Sequence, residues 1–441
     1  MEIAIKVVQF FLSLSILVIV HEMGHYLAAR FFNTRVEKFY LFFNPWFTLF
    51  KKKIGDTEYG MGWLPLGGYV KISGMIDESM DKEQMKQPAQ PWEFRSKPSW
   101  QRLIIMVAGV VFNLILAIII YIFMLYFVGE EYLPAKNAQY GIIADEMAQD
   151  IGLQTGDKIL YINDEEVKDF MEIPRKFIVG DVNMVTIERN GETKTLNVPE
   201  DFFADLISNR GDGFISLRFP FIANDFVEGS VAKEAGVKKG DHIIGINDTE
   251  TWSFEEFRRE IVNYAGQQID LHVMRDNERK TFSVTLPEDE AVIGVYIKPL
   301  DELFEFEKRN YSLVSAIPAG ATKAWTTTTN YIQELKLLFR PEVKATESLG
   351  GFITIGSIFA PTWDWIHFWT ITAFLSIILA IMNILPIPAL DGGHVMFLMY
   401  EMIVGRKPGD KFMEYAQTVG MIFLLALILF ANFNDVLRLF E

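Results

Sequence analysis

The apolar residues of this chain gather into four runs, at residues 3–32, 103–128, 368–390 and about 415–433. Each is long enough to cross the roughly 30 Å hydrocarbon core of a bilayer. A backbone in lipid has no water to bond, so runs of this length must close their own N–H and C=O groups as helices. The expected class is a polytopic α-helical membrane protein with four transmembrane helices. Hydrophobic residues make up 50% of the chain and aromatic residues 14%, above the usual soluble composition. The net charge of −16 excludes a nucleic-acid partner, which needs a basic patch. The surface this chain meets is a lipid bilayer.

The first run, IAIKVVQFFLSLSILVIVHEMGHYLAARFF, contains His21, Glu22 and His25. Ionisable groups in a membrane helix cost several kcal/mol and persist where they are paired or liganded around a cavity. The spacing is HExxH: on a helix, positions i and i+4 share a face, so both imidazoles can close on one metal ion while Glu22 remains as a base. With no cysteine in the chain, a zinc site must draw on His and carboxylates. The third run supplies one. It ends in NILPIPALDGGH, where Pro386 and Pro388 must break a helix and leave backbone groups in need of a cavity or a substrate. Asp391 follows as a natural third ligand for one Zn2+ per chain, with a fourth position open for water.

Cations set the topology. Arg30, Arg35, Lys38, Lys51, Lys52, Lys53, Arg95, Lys97 and Arg102 lie between the first two runs, and Arg406, Lys407 and Lys411 between the last two. These loops are expected to be cytoplasmic, the middle of the chain exported, both termini on the exported side, and His21 near the cytoplasmic end of its helix. Trp363, Trp365 and Trp369 fit an outer interfacial belt. In the first loop, residues 57–73, TEYGMGWLPLGGYVKIS, predict a membrane-associated β-hairpin turning at Pro65 to Gly68, whose edge offers strand addition. The exported middle holds a repeat: Gly152, Gly156, Asp157, Ile159, Ile162 and Asn163 recur 84 residues later as Gly236, Gly240, Asp241, Ile243, Ile246 and Asn247. Two copies of one small β-rich domain are expected. Residues 309–339 read as one or two helices with a break at Pro318 and Gly320, lying on the membrane or on the repeat.

The GD-x-I-x-x-I-N pattern of each copy resembles the PDZ domain. With HEMGHYLAARFF, LPLGGYVKISG, AGVVFNLILA and NILPIPALDGGH in this order, nearly the whole chain resembles the bacterial site-2 proteases, intramembrane zinc metalloproteases with tandem PDZ domains. The resemblance implies zinc on His21, His25 and Asp391 and catalysis by Glu22. It implies that Asn383, Pro386 and Pro388 shape the substrate site, that Gly67, Gly68, Tyr69, Val70 and Lys71 contact substrate, and that Gly109 and Asn113 form a motif of the second helix. The implied substrates are single-span membrane proteins, an anti-sigma factor already cut on the periplasmic side, and remnant signal peptides. The implied location is the bacterial inner membrane, with the PDZ pair and termini periplasmic. One departure is Phe352 after Gly351, where the family often has Gly-Pro.

The expected organisation is thus a first transmembrane helix at 1–32, a cytoplasmic loop at 33–100 bearing the 57–73 hairpin, a second helix at 101–128, and PDZ domains at 129–215 and 216–300. Amphipathic or linker helices follow at 301–367, a third transmembrane helix at 368–394, a cytoplasmic loop at 395–414 and a fourth helix at 415–441. Two other classes compete. A membrane PDZ scaffold would bind no metal, and a metal or proton transporter would string polar residues along a continuous path. Here the polar groups cluster at one depth.

Overall fold

The computed structural model describes residues 1–65, 67–75, 87–179, 182–199, 202, 206, 214–337 and 350–438. Parts of the expected 33–100, 129–215 and 301–367 segments therefore lie outside the described residues, at 76–86, 200–213 in large part, and 338–349. The chain divides into two compact units, residues 130–309 forming one and the flanking segments together the other.

The flanking unit begins with α1 (Glu2–Phe31). Four strands follow: β1 (Val36–Leu41), β2 (Phe43–Ile54), β3 (Thr57–Leu64) and β4 (Tyr69–Ile72), in the sheet order β2-β3-β1-β4. The strands expected in residues 57–73 are present, but they do not form a hairpin. β1 lies between them, parallel to β3 and antiparallel to β4. The reason is burial: β1 carries the enclosed Val36 and Tyr40 and takes the interior place beside β3, so β4 pairs with β1 instead. The true hairpin of this region is β2 with β3, where Ile54 pairs Thr57 around Gly55 at φ +61°. β4 is left as an edge strand. The sheet leads to α2 (Ser99–Phe127), antiparallel to α1, since His25 meets Ile105 and His21 meets Asn113 eight positions further on.

Residues 130–309 hold the repeat as two copies of one β-rich fold. In the first, β5 (Glu130–Tyr132), β6 (Ile142–Ala144) and α3 (Glu146–Asp150) precede β7 (Lys158–Ile162), β8 (Glu165–Glu166), α4 (Ile173–Val179), β9 (Met184–Arg189), β10 (Glu192–Asn197) and β11 (Ile215–Leu217). The second has β12 (Ala223–Phe226), α5 (Val231–Ala235), β13 (His242–Ile246), β14 (Thr249–Glu250), α6 (Phe254–Ile261), β15 (Gln268–Arg275), β16 (Glu278–Thr285) and β17 (Val295–Ile297). The sheets β10-β9-β7-β8 and β16-β15-β13-β14 have the same order, each beside a two-stranded ladder, β11-β6 or β12-β17. Asp157 and Asp241 are both almost fully enclosed. Each takes a two-pronged ion pair, Asp157 from Arg189 at 2.7 Å and Asp241 from Arg275 at 2.5–2.6 Å. The same guanidiniums donate to the carbonyls of Gly152 and Gly236, which ties the Gly-Asp turn of each copy to its sheet. Hydrogen bonding to Asp157 and Asp241 holds both guanidiniums above their usual pKa. The copies are joined by an Arg259–Asp145 ion pair and by Trp252, whose ring meets Tyr140 at 5.2 Å and carries Arg218 4.4 Å above it. A last strand, β18 (Glu307–Arg309), pairs with β5 so that Glu130 faces Arg309.

The flanking unit resumes with α7 (Leu313–Leu337), which runs unbroken through Pro318, contrary to the expected break. Its stripe of Ala316, Gly320 and Ala324 is buried, and a Cβ on Gly320 would stand 2.6 Å from Ile122 of α2. Close packing against α2 offsets the lost hydrogen bond, and the helix belongs with the apolar helices. After α8 (Phe352–Ser357), α9 (Trp365–Ile384) starts at Asp364, whose carboxylate accepts from the amides of Ile366 and His367. It ends at Ile384, and α10 (Asp391–Val404) begins after a six-residue break. The third membrane helix is therefore shorter than 368–394. The expected 395–414 loop is helical up to Val404, because Phe397 and Leu398 are buried and hold α10 in the fold. The last helix is α11 (Asp410–Arg438). Its Asn432 side chain accepts the amide of Phe352 at 3.2 Å, a donor that a proline at that position could not supply. Four helices, α1, α2, α9 and α11, are long and apolar enough to cross a membrane, which with the β-sheets makes this a membrane protein with β domains.

Candidate active site

The site is built where glycines let α1 and α2 pack closely. A Cβ on Gly24 would stand 2.5 Å from the Ala108 carbonyl, and one on Gly109 would stand 2.3 Å from His25 Nε2 and 2.7 Å from His21 Cε1. Glycine at these two positions lets the helix backbones approach and leaves room for both imidazoles on the face of α2. His21 and His25 sit one turn apart, with their Nε2 atoms 3.2 Å from each other. Asp391 is the first residue of α10, where a carboxylate is favoured by the helix dipole. Its Oδ2 lies 3.1 Å from His21 Nε2 and 3.2 Å from His25 Nε2.

The break after α9 is what delivers Asp391. Pro386 and Pro388 prevent the helix from continuing, Ala389 takes a left-handed φ of +77°, and α10 folds back against the broken end. A Cβ on Gly392 would stand 2.0 Å from the Leu385 carbonyl, so the first glycine after Asp391 is required by this reversal. α11 closes on the same loop, where a Cβ on Gly420 would stand 2.0 Å from the Pro388 carbonyl. Hydroxyls tie the helices together: Ser376 donates to the Asn113 carbonyl at 2.8 Å, and about two turns of α1 away the Ser13 and Thr372 hydroxyls meet at 3.0 Å.

Two imidazole nitrogens and one carboxylate oxygen, within 4.8 Å of one another and nearly enclosed, form a donor set that suits zinc and leaves a coordination position for water. His25 is already committed. Its Nδ1 lies 2.8 Å from the Ile105 carbonyl, which can only accept, so the proton is on Nδ1 and Nε2 presents its lone pair.

A cavity of about 390 Å³ adjoins this cluster, lined by His21, Glu22, His25 and Asp391 together with Gly68, Tyr69 and Val70. Glu22 therefore shares the cavity but stands outside the three converging atoms. Gly68 approaches α1 closely, with Val18 Cγ1 2.7 Å and Glu22 Cγ 3.6 Å from the place of its missing Cβ. The Tyr69 ring stacks between Tyr40 and Phe43 at 5.3 and 6.1 Å. Among the other residues implied by resemblance, Asn383 points its Nδ2 at His21 Nε2 from 3.4 Å, and Asn113 reaches His21 Nδ1 from the opposite side. Gly67 turns the chain into β4 with φ +141°. Lys71 is drawn away to Glu37 at 3.4 Å, and Pro386 and Pro388 shape the loop without lining the cavity. Two polar lining residues that went unread in the sequence are His394 and Gln417, whose side chains meet at 2.8 Å. His394 follows Asp391 by three residues, the same helical face, and that spacing was the available signal.

Residues 9–427 match the model of peptidase family M50. The chain is 28% identical to Protease RseP of Yersinia pestis over the full length of both. It is 30% identical to a Campylobacter jejuni protein named as a zinc metalloprotease, covering 97% of this chain and 92% of that one, and 28% identical to a like-named Rickettsia conorii protein, covering 99% and 100%. With a His-His-Asp cluster beside a lined cavity and a family match across nearly its whole length, this chain belongs to peptidase family M50 as a zinc-dependent metalloendopeptidase of the site-2 type.

Proposed function

We propose that the chain hydrolyses peptide bonds within the transmembrane segments of single-span proteins, with Glu22 as the catalytic acid–base group and His21, His25 and Asp391 as the zinc ligands. The observation that carries this reading is the convergence of those three side chains, from α1 and α10, on a cavity that also holds Glu22. Zinc, when bound, supplies a Lewis acid that acidifies water and stabilises negative charge on a carbonyl oxygen. Glu22 takes a proton from the attacking water and returns it to the leaving amide nitrogen. Asn383, with its amide directed at the ligand side of His21, donates to the substrate carbonyl or holds the substrate backbone.

A transmembrane helix hides its peptide bonds inside its own hydrogen bonds, so it must be unwound before attack. The edge strand β4, whose Tyr69 and Val70 line the cavity, offers backbone partners to an extended segment. Gly68, Tyr69 and Val70 then lie along the bound strand, and Gly67 sets its entrance.

The preferred substrate is an anti-sigma factor already trimmed on the periplasmic side, whose release signals envelope stress, with remnant signal peptides as a second class. Loop cations favour an inner-membrane orientation with the site near the cytoplasmic face. The duplicated fold in residues 130–309 is read as a tandem PDZ pair on the periplasmic side that admits trimmed substrates.

The test is Glu22→Gln. The variant should retain stoichiometric zinc while cleavage of a model transmembrane substrate falls about 10²–10⁴-fold. Turnover near the wild-type rate would remove Glu22 from its role.

A further inference from the structure

Two groups on α2 address the two imidazoles from behind. For His25 that group is the Ile105 carbonyl, a fixed acceptor 2.8 Å from Nδ1. For His21 it is the Asn113 amide, whose nitrogen lies 3.3 Å from Nδ1. Asn113 has no exposed surface, and its Oδ1 has no hydrogen-bond partner among the described residues. An amide's oxygen and nitrogen exchange places by a half-turn with almost no change of shape, so the chemistry of the neighbour decides which atom faces it.

Here the neighbour decides clearly. An Asn113 N–H donated to His21 Nδ1 would require a lone pair there and hence the proton on Nε2. That proton would point into the 3.1–3.2 Å triangle formed with His25 Nε2 and Asp391 Oδ2, the position where a lone pair is needed to bind metal. With the amide turned, Oδ1 accepts from Nδ1–H and Nε2 presents its lone pair beside that of His25.

We propose that Asn113 is a positioning residue that accepts a hydrogen bond from His21 Nδ1–H through Oδ1 and so fixes the metal-binding tautomer of His21. α2 thereby orients both imidazoles with acceptors, one from its backbone and one from its side chain. Gly109, one turn earlier on the same face, leaves the rings room to receive them. This proposal rests on the metal-site reading above.

The test uses full-length protein in detergent and measures zinc affinity by competition with a chelating dye. Asn113→Asp keeps an acceptor and removes the donor, whereas Asn113→Leu keeps the bulk and removes both. Asn113→Asp should bind zinc within about threefold of wild type or more tightly, and Asn113→Leu should bind roughly 10- to 100-fold more weakly. Equal weakening in both variants would mean that the N–H was the working group. Unchanged affinity in Asn113→Leu would mean that the amide does nothing for His21. Either result overturns the proposal while leaving the zinc site standing, whereas failure of wild type to bind zinc would overturn the site itself. Ring-nitrogen NMR of isotope-labelled histidine in the zinc-loaded wild type gives the answer without any variant: His21 should carry its proton on Nδ1, and a proton on Nε2 refutes the proposal.

Discussion

At the residue scale, the constraint that bears most directly on the imidazoles is the absence of a side chain. Gly109 has His25 Nε2 2.3 Å and His21 Nδ1 2.9 Å from the place of its missing Cβ, so a single methyl group would occupy space the imidazoles now fill. Overpacking of this kind costs about 1–3 kcal/mol, and here the strain falls on two ligands at once. Gly109→Ala is therefore expected to lower zinc affinity roughly 10- to 100-fold, with the helical circular dichroism signal retained. Wild-type zinc content at limiting metal would show that the rings have slack the distances do not suggest. His21, Glu22 and His25 were legible from sequence because spacing i, i+4 is a property of any helix and their chemistry is rare in an apolar run. Asp391 was legible because proline breaks a helix wherever it stands. His394 was passed over although it follows Asp391 at i, i+3, and Gln417 was not legible, since it meets His394 from another helix whose packing no local pattern encodes.

At the scale of elements, the long apolar helices were placed more closely than the sheet, although α7 continues through Pro318 and α10 fills the first half of the expected last loop. A strand is recognised by its two-residue alternation, and β2 lacks one. Its pairing with β3 shifts register between Phe43 and Thr48 and again between Thr48 and Phe50, and Phe42 and Trp46 take φ values of +66° and +70°. Each bulge flips the side chains that follow to the other face, so the burial pattern of residues 43–54 has no period. The Asp–Arg pairs of the duplicated fold escaped for a different reason. Asp157 and Asp241 are 84 residues apart, whereas Arg189 and Arg275 are 86 apart, and a fixed offset passes over the second pair. Each aspartate side chain is 1% exposed, so loss of its arginine strands a buried charge at a cost of about 3–5 kcal/mol. Arg275→Leu should accelerate amide hydrogen exchange in β13 and β15 of the full chain while β7 and β9 keep their protection. Loss of protection in both copies would mean that they fold as one cooperative body, and no loss in either would mean that the ion pair is dispensable.

At the scale of the molecule, residues 130–309 behave as an insertion. Glu130 faces Arg309 across the antiparallel β5–β18 ladder, where paired Cα atoms stand about 5 Å apart, so this unit enters and leaves the chain at nearly one point. His21, Glu22, His25 and Asp391, their glycine approaches, the β4 edge and the proline break all belong to the other unit. It follows that the unit holding the duplicated fold can be excised and the ends rejoined by a short Gly/Ser linker without removing any group assigned to chemistry. If the duplicated fold selects trimmed substrates, this deletion should leave cleavage of a trimmed single-span substrate within several-fold of wild type. It should also raise cleavage of the untrimmed form until the two rates converge. The measurement is the ratio of those rates in reconstituted membranes, where a loss common to both substrates cancels. A ratio unchanged from wild type would assign discrimination to the membrane unit itself, with the β4 edge and the cavity mouth as the places to look. Loss of cleavage for both forms, with zinc still bound, would instead make the inserted unit a partner in presenting the substrate strand.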